Sequence, residues 1–130
     1  MWRLLMVAGD RTNFAQLAEG IEARPDVVLT WAETGRDALD RAAGGGVDLL
    51  VTDERLPDMT GLELIGRLVT VNPMIDAAVA SSLSDDDFHE AAEGLGIMAR
   101  LPLRPGRGEG DGLLGRLEKI RGLMTAVPNP

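Results

Sequence analysis

The chain has 130 residues, 45% of them hydrophobic and 26% charged, with a net charge of −8 and no cysteine. That length suits one domain with a proper core, and the lack of cysteine excludes disulfides, zinc–thiolate centres and thiol nucleophiles. The acidic balance, without a dense Lys/Arg cluster, argues against direct nucleic-acid binding. The aromatics Trp2, Phe14, Trp31 and Phe88 are too few for a base-stacking platform. No apolar stretch approaches a membrane span. Met1 to Val7 reads as a strand and not as a signal peptide, so a cytoplasmic location is expected.

Strand and helix patterns alternate along the chain. Arg3 to Ala8 is a first strand. Phe14, Leu17, Ala18 and Ile21 then recur at helical spacing until Arg24-Pro25-Asp26 stops the helix. Val27 to Trp31, β-branched and apolar, is a second strand. Ala32-Glu33-Thr34-Gly35 turns into a short helix with Ala38, Leu39 and Ala42 on one face, ended by Gly44-Gly45-Gly46. Val47 to Thr52 is the third strand, so short and apolar that it reads as buried on both faces. Thr60 caps a third helix from Gly61 to about Val69, which is expected to bury Leu62, Ile65 and Val69 before Asn72-Pro73 ends it.

Ala77 to Ser81 is a fourth strand of small residues. Ser84 caps a helix carrying Phe88, Ala91, Ala92 and Leu95, closed by Gly94-Leu95-Gly96. Asp85-Asp86-Asp87 fills the first turn of that helix, where negative charge is favourable. His89, the only histidine, reads as a surface residue. Ile97 to Leu101 is the fifth strand. Gly106 to Gly112 reads as a flexible linker, since it lacks the Gly-Lys-Ser/Thr ending of a phosphate loop. A last helix places Leu113, Leu117, Ile120 and Met124 on one face. Five strands alternating with five helices predict an α/β fold with a parallel sheet, right-handed crossovers and helices on both faces.

The stretch from Asp48 to Gly61 organises this pattern. Its apolar run ends at Asp53, whose carboxylate emerges at the carboxyl end of a parallel strand, where ligands and chemistry collect in open α/β sheets. Leu56-Pro57 then imposes a turn. The segment closely resembles the phosphoacceptor motif of response-regulator receiver domains, the CheY-like superfamily. That motif is an Asp, two residues, Leu or Met, Pro, any residue, Met or Leu, a small polar residue and Gly, matched here by Asp53, Leu56, Pro57, Met59, Thr60 and Gly61. Gly35 before the Ala38-Leu39 pair and Gly96 before the last strand fit the same family. The resemblance covers nearly the whole chain. It implies a flavodoxin-like doubly wound five-stranded sheet of order 2-1-3-4-5 with five helices. Residues 1–126 would be the receiver domain, and 127–130 a tail or the start of a linker.

The resemblance also implies a chemistry. Receivers move a phosphoryl group from a histidine kinase or small phosphodonor to their own aspartate, here Asp53, with Mg²⁺ neutralising the anionic oxygens. The family holds that ion with two adjacent acids after the first strand, the acceptor, and a backbone carbonyl two residues on. Here the acid pair falls on Ala8 and Gly9. Asp10 follows and reads as the N-cap of the first helix. In the alternative, a shifted loop lets Asp10 reach the metal. The remaining ligands are Asp53, the Arg55 backbone carbonyl and, in that alternative, Asp10, so the Mg²⁺ site is expected to be weak or absent.

The family's lysine aligns with Leu103 when counted from Gly96 and with Arg104 when anchored on Pro105, which makes Arg104 a candidate substitute and a candidate direct partner of Asp53. Ser81 stands where the switch hydroxyl belongs, with a satisfied strand-end serine as its alternative. The accompanying aromatic falls on Arg100. The expected function is that of an atypical receiver, impaired in Mg²⁺-dependent phosphorylation and acting through protein–protein contact. It would not be an enzyme beyond self-phosphorylation of Asp53. The alternative is a working phosphoacceptor, phosphorylated on Asp53 by a histidine kinase. Expected partners are a histidine kinase or other signalling protein, and a homodimer through the face of the fourth helix, fifth strand and fifth helix.

Overall fold

A computed structural model describes residues 1–125, with side chains described as far as residue 122. The tail expected at 127–130 lies outside the described residues. The order is β1 (Trp2–Val7), a 3-10 turn (Arg11–Phe14), α1 (Ala15–Glu22), β2 (Val27–Ala32), α2 (Gly35–Ala43), β3 (Leu49–Thr52), α3 (Gly61–Val71), β4 (Asp76–Ala80), α4 (Asp85–Ala91), β5 (Ala99–Leu101) and α5 (Arg107–Thr125). The strands form one parallel sheet in the order β2-β1-β3-β4-β5.

Side chains alternate across the sheet and build two apolar layers. Leu4, Met6, Leu49, Val51, Ala78 and Ala80 face α1 and α5, where they meet Phe14, Leu17, Ile21, Leu114 and Leu117. Leu5, Val7, Leu50, Ala77 and Val79 face the other way, onto Ala38 and Ala42 of α2 and Leu64, Ile65 and Leu68 of α3. Because helices cover both faces, the central strands read as unbroken apolar runs.

Three expectations are corrected. The glycine-rich stretch is not a linker, because α5 begins at Arg107 and runs through Gly108, Gly110 and Gly112. Each such glycine costs a helix about 1 kcal/mol relative to Ala, and a tertiary contact offsets this. A Cβ on Gly20 of α1 would lie 2.2 Å from the Arg107 carbonyl oxygen, and one on Gly110 would lie 3.0 Å from Ile21 Cγ1. The two glycines let α1 and α5 touch along their backbones. Further along α5, Arg121 binds the Asp76 carboxylate at 3.1 Å and the Asp48 carbonyl at 3.1 Å.

The second correction concerns α3, which buries Leu64, Ile65 and Leu68, while Leu62 is half-buried and Val69 is exposed. In Leu62-Glu63-Leu64-Ile65-Gly66-Arg67-Leu68-Val69 two apolar stripes compete, and the Ile65 stripe turned one position toward Leu64 and Leu68 meets the sheet. The third concerns the extent of α4, which ends at Ala91 and leaves Ala92 and Leu95 beyond it. The helix has no buried residue; Phe88, Ala92 and Leu95 are half-buried and Ala91 is exposed.

Candidate functional site

The parallel register sets Val7 opposite Thr52. Asp53, one residue further, is anchored by its own N–H, which donates to the Val7 carbonyl at 2.9 Å. Thr52, Asp53 and Ser81 are the buried polar residues among the described residues. All three lie at the carboxyl end of the sheet, so this is where polarity enters the core.

The turn after Asp53 is closed by its own backbone. Leu56 N–H donates to the Met59 carbonyl at 2.8 Å, and Gly61 N–H to the Glu54 carbonyl at 2.9 Å. Gly61 is needed for proximity, since a Cβ there would lie 2.3 Å from the Asp53 carbonyl oxygen. Thr60 caps α3 by accepting from Glu63 N–H at 3.1 Å. The turn also grips α2. The Asp58 carboxylate accepts from Gly35 N–H at 2.8 Å and Arg36 N–H at 3.0 Å, and these two amides hold its pKa below the ordinary value.

Both oxygens of Asp53 are engaged. Oδ1 accepts from the Glu54 N–H at 2.8 Å, and Oδ2 accepts from the Asn13 side-chain amide at 2.9 Å. Asn13, Asp53, Glu54, Arg55, Leu103 and Arg104 line one cleft of about 310 Å³. Both alignments of the missing lysine thus lead to this cleft. Arg104, at φ 52°, forms no ion pair with Asp53 among the described residues. The direct pair expected from the sequence is therefore not closed, and a neutral amide stands against the carboxylate instead.

The other candidates are drawn elsewhere. Asp10 is turned into its own loop, accepting from Thr12 N–H at 3.0 Å and Thr12 Oγ1 at 2.6 Å. It caps the 3-10 turn. The Thr12 hydroxyl, then the Thr12 amide, and more weakly the charge of Arg104, lower its pKa. Ser81 Oγ accepts from Leu83 N–H at 3.2 Å and makes no hydrogen bond to Asp53. Its neighbour Ser82 donates to Glu54 from its amide at 3.0 Å and its hydroxyl at 2.8 Å. Arg100 reaches back over α4. It binds Asp85, donates to the Leu83 carbonyl at 3.3 Å and lies 5.2 Å from the centre of the Phe88 ring.

Sequence reasoning missed Asn13 and the Glu54–Ser82 contact. Asn13 follows Asp10 by three residues in a turn, and that spacing was the one available hint.

Five parallel strands in the order 2-1-3-4-5, five helices and an acid at the tip of the central strand define the CheY-like class of flavodoxin-like folds. A solved signal receiver domain of an HD domain-containing protein from Pseudomonas fluorescens Pf-5 has the same fold, with a TM-score of 0.80 at 22% identity over 97% of this chain and 93% of that one. Residues 4–102 match the response regulator receiver domain family, and the chain belongs to it. Over 101 residues, 77% of the chain, it is 38% identical to a response regulator receiver protein of Anaeromyxobacter sp. (strain Fw109-5), and over 99 residues, 76% of the chain, 27% identical to the DNA-binding transcriptional regulator NtrC of Escherichia coli (strain K12). The matches span 42% and 21% of those relatives' lengths.

Receiver domains are signalling modules of two-component systems, and they generally use Mg²⁺ for phosphorylation. The residues present do not fit that ion well. Ala8 is fully buried in the apolar layer of α1 and α5, Gly9 has no side chain, and Asp10 is committed to Thr12. Among the described residues no group of three or more His, Cys, Asp or Glu side chains could hold a metal. No helix among the described residues is long and apolar enough to cross a membrane.

Proposed function

We propose that this receiver works as an atypical one, in which Mg²⁺-dependent phosphorylation of Asp53 is impaired and signalling runs through protein–protein contact. The observation that carries the reading is the surroundings of Asp53, a well-formed acceptor carboxylate flanked by Ala8, Gly9 and an Asp10 bonded to Thr12. Octahedral Mg²⁺ needs several oxygen ligands, and an anionic phosphoryl group approaching an anionic carboxylate needs positive charge beside both. Asp53 and the Arg55 carbonyl are the ligands left. Arg104, in the lysine's place, and the Ser81 hydroxyl complete the proposed set of site residues.

The partner is a histidine kinase or another signalling protein in the cytoplasm, without direct nucleic-acid contact. The contact face, for such a partner or a second copy, is that of α4, β5 and α5. The complete turn around Asp53 and the two arginines in its cleft favour a second reading, a working phosphoacceptor.

Intact mass after incubation with acetyl phosphate, with and without Mg²⁺ and beside Asp53→Asn, separates the two. Adduct formation is expected to be slow and little changed by Mg²⁺. A Mg²⁺-dependent adduct that Asp53→Asn abolishes would establish the second reading.

A further inference from the structure

We infer that Asn13 is a neutral lock on Asp53: its amide occupies the oxygen that a phosphoryl group or a cation would otherwise use, and so sets the reactivity and cation affinity of the site. This deepens the reading above and rests on it.

A carboxylate with 8% exposure needs donors, because a buried charge without them is costly. The Glu54 amide serves Oδ1 and Asn13 serves Oδ2. Arg55 and Arg104 line the same cleft and form no ion pair with Asp53. Among the described residues Asn13 is therefore the one side-chain donor on this carboxylate.

Asn13 is also held in place. Its N–H donates to the Asp10 carbonyl at 3.2 Å, the turn is capped by Asp10 through Thr12, and the next residue, Phe14, is fully buried. Asp10 thus acts at a distance, by aiming the turn that carries Asn13. An amide satisfies the carboxylate without adding charge, so it gives an incoming anion no compensation.

In the transfer step an Asp53 oxygen forms a new bond to phosphorus while the bond from phosphorus to the acetyl oxygen breaks. The electron pair leaves with acetate and no proton moves. Oδ2 already shares one lone pair with the Asn13 amide, which draws electron density from that oxygen and weakens its attack on phosphorus.

The test compares the wild type with Asn13→Ala and Asn13→Asp. Trp31 fluorescence reports cation binding, because Arg11 of the same turn lies 5.2 Å from the Trp31 ring centre. Intact mass with acetyl phosphate reports reactivity, and thermal melts report folding. Releasing one hydrogen bond to a charged group is expected to raise the adduct rate of Asn13→Ala roughly tenfold over wild type. Asn13→Asp sets a second carboxylate beside Asp53 and is expected to lower the half-saturating Mg²⁺ concentration roughly tenfold.

If both variants match wild type in adduct rate and Mg²⁺ response, the inference is overturned, whatever happens to their melting temperatures. A wild type that responds to Mg²⁺ and is readily modified would overturn the proposed function instead, and the lock would still stand if Asn13→Ala were faster. Should Asn13→Ala not fold, Asn13→Ser, whose shorter side chain falls short of Asp53, carries the same expectation.

Discussion

The turn after β3 and the helix after β4 lie side by side at the same end of the sheet, yet they are held by different means. The turn is fixed by close contact, with Gly61 against the Asp53 carbonyl, Leu56 nearly buried and Asp58 clasping the start of α2. α4 has no fully buried residue; half-buried Phe88 and, beyond its end, Leu95 rest against the core, and Arg100 ties it further, its guanidinium meeting Asp85, the Leu83 carbonyl and the face of Phe88. Packing of the first kind gives one position and is insensitive to salt. Ionic tethering of the second kind leaves an element free to leave its seat and is screened by salt.

The largest effect should come from forcing the turn open. Gly61→Ala drives a methyl group into the Asp53 carbonyl, and is expected to cost about 1–3 kcal/mol, read as a lower midpoint in denaturant melts. A wild-type midpoint would mean that the turn is as yielding as α4.

Asp58→Asn should be milder, lowering Tm by a few degrees at neutral pH, and its pH dependence identifies the cause. The folded-state pKa of Asp58 is depressed below 3.8 by the two α2 amides. Its contribution is therefore present above the unfolded value and is lost as pH falls through the folded value. The Tm gap between the two proteins should be constant from neutral pH to about pH 5 and close in stronger acid. A gap that persisted at low pH would assign the effect to shape and not to charge.

Arg100→Ala should be smallest in the global melt, under about 1 kcal/mol, as befits contacts on an exposed acid. Its signature is local, with faster amide exchange over 85–92 that wild type reproduces in high salt. Unchanged exchange would show that the half-buried Phe88 and Leu95 suffice to seat α4.

The order of the elements and the acceptor turn are legible in the sequence because both are written in local chemistry. Short apolar runs mark strands covered on both faces, and Leu56-Pro57, Thr60 and Gly61 each serve the turn they stand in. The caps at Thr60 and Ser84 are local as well. What the sequence hides is set by distant partners. Gly108, Gly110 and Gly112 look like a linker until Gly20 is brought against Arg107. Leu64 and Leu68 cannot be preferred over Leu62 and Val69 without the sheet to choose between stripes. At the site, the departures at Ala8, Gly9 and Arg104 are visible as residue types. Asn13 is not, because an asparagine in a turn has no chemical signature until its amide is found on Asp53.

The glycine crossing of α1 and α5 has a mechanical consequence. Packed helices ordinarily meet through a layer of side chains, which yields a little when one of them shifts. At Gly20 and Gly110 that cushion is absent, and a joint without a cushion transmits displacement instead of absorbing it. The turn that carries Asn13 runs directly into α1, so the tight seat of α1 on α5 also fixes the base on which that turn stands.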